Sequence, residues 1–359
     1  LGYEHYRLRD FDLAEAKLND YLRFAQAMTA LREYDAAGFV EASFALNSLG
    51  TLALDRGKTD EAATYFARSM ALKQLGAPAD SGNLGWRFEV NDTDSWINRT
   101  KEAGGLLQAA AFGYDRNIHE LQELILRRPD ALTWQYRLAE YRQLRSLLAL
   151  SMGQTAFAAV ENDKALASLT TLTDAHKENM EWKGSLAYSR MIDGEIADSR
   201  GDHAAARKAF ALARKDFAQQ LRKEEADKPK WRRLLSRTRW LAGRTTMDTK
   251  SIDVAVAELE ALLGEHPDDR YILAELAQAL VARAELRQWQ RDPKGATADA
   301  LRVDALLVDR AESKIPQLVA LWVDAHRIDG IAQFAHKHDH RKAEAWLRDI
   351  GYEKTILRQ

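Results

Sequence analysis

Four tryptophans recur along the chain at an almost constant interval. Trp86, Trp134, Trp182 and Trp231 are separated by 48, 48 and 49 residues. An internal period of this size is typical of a repeat protein, in which each repeat is a supersecondary unit that stacks on the next. The period therefore constrains the architecture before any motif is considered, and it favours an extended binding surface over an enclosed catalytic pocket.

The residue pattern of each repeat predicts a pair of helices, which we name helix A and helix B. After each tryptophan, apolar residues recur at steps of three and four without an intervening proline, as in an amphipathic helix. Gly104, Gly153 and Gly201 close three of these segments, and a glycine suits the left-handed conformation at a helix C-terminus. A second amphipathic segment follows each glycine, over residues 106–128, 155–177 and 203–226.

Residues 49–70 show the packing pattern of such a pair in detail. A small residue stands where the two helices touch, a glycine ends helix A, and helix B opens with an alanine and two aromatic side chains. These residues are Gly50, Gly57, Ala62, Tyr65 and Phe66. The turn and packing pattern returns over residues 200–210, and it resembles the tetratricopeptide repeat.

The resemblance covers nearly the whole chain, most weakly beyond Leu241. It departs from that family in length, because the usual unit has about 34 residues and the period here is 48. Similar enlarged arrays stand behind signalling domains in bacterial multidomain proteins. The resemblance implies an all-α fold, a right-handed α/α superhelix (a TPR-like solenoid) of about eight helical hairpins. Such a superhelix binds a peptide or protein on the concave face that its A helices line.

The period divides the chain into eight expected units within one elongated domain, residues 1–359. The predicted units are residues 1–48, 49–85, 86–133, 134–181, 182–230, 231–270, 271–314 and 315–359. A cluster of breakers, Gly76, Pro78, Gly82 and Gly85, predicts a loop in the second junction. Because the chain begins inside the pattern, we expect it to be the C-terminal fragment of a longer protein whose N-terminal part carries the effector.

The amino-acid composition excludes several classes of function. The formal net charge is −2 with acidic and basic residues mixed, whereas a general nucleic-acid binder would be basic overall. No cysteine is present, which excludes disulfides and thiolate chemistry. No apolar stretch reaches the roughly 18 residues of a membrane-spanning helix. We expect a cytoplasmic location, or a periplasmic one if the full-length protein has an upstream membrane span.

Motifs for chemistry are missing from the sequence. It has no glycine-rich phosphate loop, paired metalloprotease histidines, calcium loop or nucleophile elbow. We therefore expect no enzymatic activity and no cofactor. The pair Asp92 and Asp94 supplies too few oxygen ligands for a metal ion. The best metal candidate is a histidine group made of His336, His338 and His340 with His326; the alternative, a solvated turn, is favoured because neighbouring Lys337 and Arg341 would repel a cation.

The best candidate for partner binding is a basic stretch without any acidic residue, Lys228–Arg244. Its cations are Lys228, Lys230, Arg232, Arg233, Arg237, Arg239 and Arg244. Uncompensated positive charge favours a phosphate, a carboxylate or an acidic protein segment. The alternative is that these cations pair with acids of neighbouring helices, such as Glu224, Glu225, Glu258 and Glu260.

Helical phase predicts a second set of binding residues. Certain polar and aromatic side chains of the A helices face away from the Leu/Ala packing stripe and are expected to be exposed to a partner. They are Arg137, Tyr141, Arg145, Arg190 and Arg237.

Two functions remain open from the sequence. The first is a non-catalytic interaction scaffold or sensor region for a protein or peptide, with self-association as a further expectation and no nucleic acid expected. The second is a sensor for a small anionic ligand or nucleotide, which would use the basic stretch.

Overall fold

The computed structural model describes residues 2–31, 36–76, 82–223, 228–308 and 316–337. Within these ranges the chain is all-helical, with fifteen α-helices and no β-strand. The helices are α1 (Gly2–Arg7), α2 (Phe11–Leu31), α3 (Ala36–Asp55), α4 (Thr59–Gly76), α5 (Leu84–Ala103), α6 (Leu107–Arg127), α7 (Leu132–Ser151), α8 (Thr155–Ala175), α9 (Met180–Ser199), α10 (His203–Lys223), α11 (Lys228–Thr246), α12 (Thr249–Glu265), α13 (Arg270–Trp289), α14 (Pro293–Leu307) and α15 (Pro316–Lys337). Consecutive helices form hairpins, so the predicted all-helical, TPR-like solenoid is confirmed.

The tight turn inside each hairpin contains one residue with a positive φ angle. In the described ranges these are Arg9, Gly57, Gly105, Gly153, Gly201, Met247 and Arg291, with φ between 56° and 80°. At each turn the next residue donates its backbone N–H to the carbonyl oxygen five residues earlier, at 2.8 to 3.0 Å. This bond satisfies a carbonyl that the end of helix A would leave unpaired. The predicted closing residue Gly104 is wrong by one position, because its φ is −82° and Gly105 takes the left-handed conformation.

Side-chain caps begin two of the tryptophan-bearing helices. The Asn83 side-chain oxygen accepts the backbone N–H of Trp86 at 3.2 Å. Asn179 does the same for Trp182 at 3.0 Å. An asparagine at this position satisfies one of the unpaired N–H groups at a helix start. The tryptophan period is therefore in register with the starts of α5 and α9.

Contacts divide the chain into two compact units, the N-terminal unit (residues 1–231) and the C-terminal unit (residues 232–359). In the N-terminal unit, three of the four periodic tryptophans, Trp134, Trp182 and Trp231, are buried and stack on aromatic rings. Trp134 stacks on Phe88 with ring centroids 5.5 Å apart, and Trp182 stacks on Tyr136 at 6.0 Å. Trp134 and Trp182 are each under 8% exposed. Because such rings bury large apolar areas, they hold successive hairpins together.

The C-terminal unit has an apolar core between α12, α13 and α14. Ile252, Leu259 and Leu280 are fully buried there. Arg283 and Arg287 on α13 both donate to the buried carboxylate of Asp299 on α14, at 2.6 and 2.8 Å. These ion pairs are satisfied inside the fold.

Other sequence expectations have mixed outcomes. Gly76 ends α4 and Gly85 lies inside α5, so the predicted loop is shorter than its glycines indicated. In the described part of the chain, no helix has the length and apolarity needed to cross a membrane. The division into eight units stays a prediction.

Candidate functional site

Helices α3, α5, α7 and α9 of the N-terminal unit form one contiguous layer, which we call the A-helix layer. Each of these helices contacts the next one in the layer as well as its neighbours in the chain. Polar side chains bridge them. Gln143 on α7 donates to the Ser185 carbonyl oxygen at 2.8 Å and to the Ser189 hydroxyl at 2.7 Å, both on α9. Successive repeats therefore present hydrogen-bonding groups to one another along the layer.

A charged cluster joins α5 to α7 within this layer; we call Asp92, Arg137, Glu140 and Tyr141 the Asp92 cluster. Arg137 Nε lies 3.2 Å from Asp92 Oδ1, and its Nη1 lies 2.7 Å from Glu140 Oε2. The Tyr141 hydroxyl donates to the same Asp92 oxygen at 3.3 Å. The Arg137 side chain keeps 36% of its surface exposed. Within the cluster, Tyr141 is buried, whereas the Arg137 side chain stays partly accessible.

Burial and charge act together on the titration of this cluster. Burial raises the pKa of the Tyr141 hydroxyl well above its usual value, and the Asp92 carboxylate raises it further. Burial on its own would lower the pKa of Arg137, but Glu140 and Asp92 outweigh that effect and raise it. The tyrosine therefore stays protonated and the arginine stays charged across the physiological range.

Tyr136 extends the cluster toward α9. Its hydroxyl lies 3.0 Å from Glu140 Oε1 and 3.4 Å from Glu181 Oε1. Burial raises the pKa of Tyr136, and the carboxylates of Glu140 and Glu181 raise it further. One guanidinium thus shares this surface with the carboxylates of Asp92, Glu140 and Glu181. Such an arrangement offers acceptors to peptide N–H groups and to basic side chains.

The other residues selected by helical phase lie elsewhere. Arg145 on α7 donates to Asp115 on α6 at 2.8 and 3.2 Å. Arg190 on α9 pairs with Asp216 on α10. The structure therefore brings Arg137 and Tyr141 together but not Arg145 and Arg190. The prediction that Tyr141 and Arg145 are exposed is wrong. Tyr141 is 2% accessible and Arg145 is 6% accessible, because α7 packs against helices on several sides.

Two arginines of the basic stretch on α11 have close carboxylate partners within the C-terminal unit. Arg232 donates to Glu258 at 2.5 Å and to Glu265 at 2.6 Å. The hydrogen bond from Arg232 lowers the pKa of Glu265. Arg237 Nη1 donates to Glu275 Oε1 at 2.8 Å. For these arginines the pairing alternative agrees with the structure.

Five other members of that prediction have different outcomes. Glu260 pairs with Arg302 on α14 and not with the basic stretch. Glu224 and Glu225 lie outside the described residues. Arg239 is half-buried. Arg233 lies 3.8 Å from Glu275, so it is the less tightly held of the two arginines beside that carboxylate.

Sequence reasoning missed Glu275 and its neighbour Tyr271 on α13. Glu275 is 4% exposed. Its carboxylate accepts hydrogen bonds from the Arg237 guanidinium at 2.8 Å and from the indole N–H of Trp240 at 3.2 Å. The signal was a lone acid in the apolar sequence Ile-Leu-Ala-Glu-Leu-Ala, because a buried carboxylate needs a cationic or hydrogen-bonding partner.

The acidic pair and the histidines show no metal arrangement in the part of the chain that the structure describes. No group of three or more His, Cys, Asp or Glu side chains converges there. Asp94 is engaged by Arg116 at 2.6 Å and Asn117 at 2.9 Å. His326 lies 3.5 Å from Asp304. The remaining candidates, His336, His338 and His340, fall where the structure describes no side chains, so the preference for a solvated turn over a metal site stays a prediction.

The fold resembles solved structures of repeat proteins. A Rap protein complexed with Competence and Sporulation Factor matches with a TM-score of 0.56 at 14% identity, over 99% of this chain and 96% of that one. The apo form of RapI matches with a TM-score of 0.51 at 11% identity, over 98% and 87%. A tetratricopeptide repeat protein from Parabacteroides merdae matches more weakly, with a TM-score of 0.41 at 13% identity over 89% and 97%.

At these identities the likeness to the two Rap structures establishes the fold alone. No protein-family model matches the chain, and no curated protein matches it either.

Proposed function

We propose that this chain is a non-catalytic scaffold that binds a peptide or protein segment along the A-helix layer, on the concave face that such helices line. The observation that carries the proposal is the chain of hydrogen-bonding groups across successive repeats: Asp92 on α5, Arg137 and Glu140 on α7, and Glu181 on α9. An extended segment presents N–H groups at regular intervals, and repeated helix pairs present acceptors at regular intervals.

The charge on this surface selects the partner. Asp92 and Glu140 both pair with the guanidinium of Arg137, and Glu181 adds a third carboxylate, so in these four side chains acidic groups outnumber the basic one. Basic residues in the bound segment would complement that excess and speed its association. Tyr136 and Tyr141 donate to these carboxylates and so hold them in place.

The likeness to the Rap protein complexed with Competence and Sporulation Factor supports this proposal, because that protein shares the fold and is solved with a bound factor. We extend the proposal to a sensor or regulatory region of a bacterial signalling protein, with a cytoplasmic location, or a periplasmic one if a membrane span lies upstream. Self-association of the chain belongs to the same proposal, as a further use of an extended repeat surface.

The alternative, a sensor of a small anionic ligand or nucleotide on Lys228–Arg244, has weaker support. Arg232 and Arg237 already have carboxylate partners, and charge used in this way is not free to neutralise a phosphate. Arg233 is the member of the stretch that favours an anion, because its ion-pair distance to Glu275 is long.

The test is selection of short peptides from a displayed random library on the immobilised chain. Selected peptides are then titrated against the wild type, Glu181→Gln, Arg137→Gln and the matched control Glu123→Gln. Glu123 is an exposed carboxylate on α6, away from the layer. We expect a shared sequence pattern and a dissociation constant about tenfold weaker for Glu181→Gln, since a hydrogen bond to a charged group contributes about 1.5–3 kcal/mol. Arg137→Gln removes the one positive charge of this surface, so it should not weaken the binding of a basic segment.

Two results would overturn the proposal. One is a library that yields no binding sequence at all. The other is a set of peptides that bind the wild type, both layer variants and Glu123→Gln equally, which would place binding on another surface.

A further inference from the structure

A cavity lies between α2, α3 and α4 of the N-terminal unit, and none of its lining residues belongs to the Asp92 cluster. We call it the α3 cavity, because α2 and α4 both pack along α3. Its volume is about 460 Å³, within the range of about 300–1,000 Å³ that is usual for small-ligand sites. The size of the cavity therefore fits a small molecule.

Most of the lining of the α3 cavity is apolar. The apolar lining side chains are Phe39, Ala42, Leu46, Ala71 and Leu72. Ala42 and Leu46 are 3% and 1% exposed and form its base, whereas Ala71 is exposed at its rim. The two alanines leave space that larger side chains would fill in a closely packed interior. Such a lining favours a hydrocarbon group, because its transfer from water into an apolar cavity is favourable.

Three polar side chains complete the lining: Gln26 and Thr29 from α2, and Arg68 from α4. Gln26 and Arg68 are exposed, so their polar ends lie at the opening of the cavity. The Thr29 hydroxyl donates to the Ala25 carbonyl oxygen at 3.0 Å, so its proton is already in use. Arg68 and Gln26 are therefore the hydrogen-bond donors that the opening offers to a ligand.

Arg68 is the charged member of this lining. Among the described residues, its guanidinium takes part in no ion pair and no hydrogen bond. On each of the three helices, the acid nearest in sequence to the lining residues already has a partner: Asp20 pairs with Arg23, Glu41 accepts from the Tyr21 hydroxyl, and Glu61 lies 3.4 Å from Lys58 Nζ. The paired N–H donors of a guanidinium match the two oxygens of a carboxylate. Arg68 therefore favours an anionic group at the opening.

We propose that the α3 cavity binds a small amphipathic carboxylic acid, whose hydrocarbon chain enters the apolar cavity and whose carboxylate pairs with Arg68. A single cation favours a singly charged head group, since a doubly charged phosphate would keep one charge without a partner. The site shares no residue with the peptide-binding surface proposed above. It does not rest on that function, and the two can be tested separately.

The experiment titrates octanoate into the whole chain by isothermal titration calorimetry. Arg68→Gln removes the partner of the carboxylate, and its matched control is Arg214→Gln, an exposed arginine of α10 that does not line the cavity. Ala71→Phe fills the cavity from its rim, and its control Ala63→Phe places the same ring at another exposed position of α4. We expect dissociation constants at least about tenfold weaker for Arg68→Gln and Ala71→Phe and nearly unchanged for both controls.

Three other ligands separate the contributions of the chain and the head group. 1-Octanol keeps the chain without the charge, and acetate keeps the charge without the chain. We expect both to bind at least about tenfold more weakly than octanoate, because each loses one half of the recognition. Octyl phosphate should bind no more tightly than octanoate. Thermal unfolding of each variant separates loss of binding from loss of folding.

The proposal is overturned if octanoate shows no binding to the wild type at millimolar concentration. It is also overturned if Arg214→Gln weakens binding as much as Arg68→Gln does, which would indicate general electrostatic attraction, or if 1-octanol binds as tightly as octanoate. Octyl phosphate binding far more tightly than octanoate would assign the opening to a doubly charged group instead. None of these results bears on the peptide titrations, so the scaffold proposal stands or fails on its own test.

Discussion

Gly50 on α3 lies so close to Phe66 on α4 that a Cβ atom added to the glycine would stand 2.7 Å from the ring carbon Cε1. The same contact recurs three periods later, where a Cβ on Gly194 would stand 2.5 Å from Cε1 of Phe210. The 48-residue period therefore appears in side-chain packing as well as in the positions of the tryptophans. At these two positions the hairpin has room for a large ring because the facing residue has no side chain.

We expect Gly50→Ala to destabilise the protein by about 1–3 kcal/mol, the usual effect of overpacking a filled core. Phe66 is fully buried and stacks on Trp96, so its ring has little freedom to move aside. The matched control is Gly264→Ala in α12, where a Cβ would meet nothing within 4 Å. Urea unfolding of both variants measures the difference, and equal stabilities would contradict the packing account.

The adjacent glycines of the α5–α6 turn should respond differently to the same change. Gly105 has a φ of 80°, and an alanine there would carry strain of about 1–2 kcal/mol. Gly104 has a φ of −82°, and a Cβ on it would come no closer than 3.5 Å to a neighbouring atom. We therefore expect Gly105→Ala to lower the free energy of unfolding and Gly104→Ala to leave it unchanged or raise it slightly.

Thermal unfolding of this pair gives the readout. The opposite ranking, with Gly104→Ala the more damaging, would mean that the left-handed residue of this turn is the one predicted from the sequence.

Much of the fold was predictable because helix pairs repeat with large, conspicuous markers. The tryptophan period predicted the hairpins, and Gly153 and Gly201 predicted the positions of two of their turns. The turns at Met247 and Arg291 were not recognisable, since nothing in the sequence marks a left-handed residue that is not glycine. Their backbone hydrogen bonds match those of the glycine turns, so the neighbouring helices and the cap at the next residue fix the conformation there.

The site was less predictable for a different reason. Helical phase placed Arg137 and Tyr141 on a common face, but it could not show that α5 packs beside α7 and that Tyr141 is buried next to Asp92. Nor could spacing show that Arg232 meets Glu265, because their distance in space depends on how α11 and α12 pack. Ion pairs between helices are properties of the packing, and a single sequence contains no direct measure of them.

An asparagine network between α5 and α6 should be essential to the N-terminal unit. Asn117 is fully buried. Its amide donates to Asn91 Oδ1 at 2.7 Å and to Asp94 at 2.9 Å, and its oxygen accepts from Asn98 at 2.8 Å. Asn117→Ala would leave these groups buried without that partner, so we expect a loss of at least about 2 kcal/mol in the free energy of unfolding.

The control for this change is Asn19→Ala on α2. The Asn19 amide makes a local bond to the Glu15 carbonyl oxygen, and its side chain is only half-buried. Chemical denaturation should show a small effect for Asn19→Ala. A comparable loss in the two variants would mean that the network contributes no more than an ordinary surface hydrogen bond.

The start of α12 should make stability depend on acid pH. The Ser251 hydroxyl donates to Asp248 Oδ2 at 2.6 Å and lowers the pKa of Asp248; burial opposes this, and the backbone N–H groups of Lys250 and Ser251 lower it further. A carboxyl whose pKa is lower in the folded state stabilises the fold above its unfolded pKa of about 3.9. That contribution is lost as the pH falls through the folded pKa.

We therefore expect the stability difference between the wild type and Asp248→Asn to be largest near neutral pH and to shrink as the pH falls below about 4. Asparagine still caps a helix, so the variant isolates the charge from the cap. Ser251→Ala removes the strongest of the hydrogen bonds that lower the pKa and should flatten the same profile in part. Denaturation series across this pH range measure both effects, and a difference between wild type and Asp248→Asn that stays constant with pH would show that Asp248 does not act through its charge.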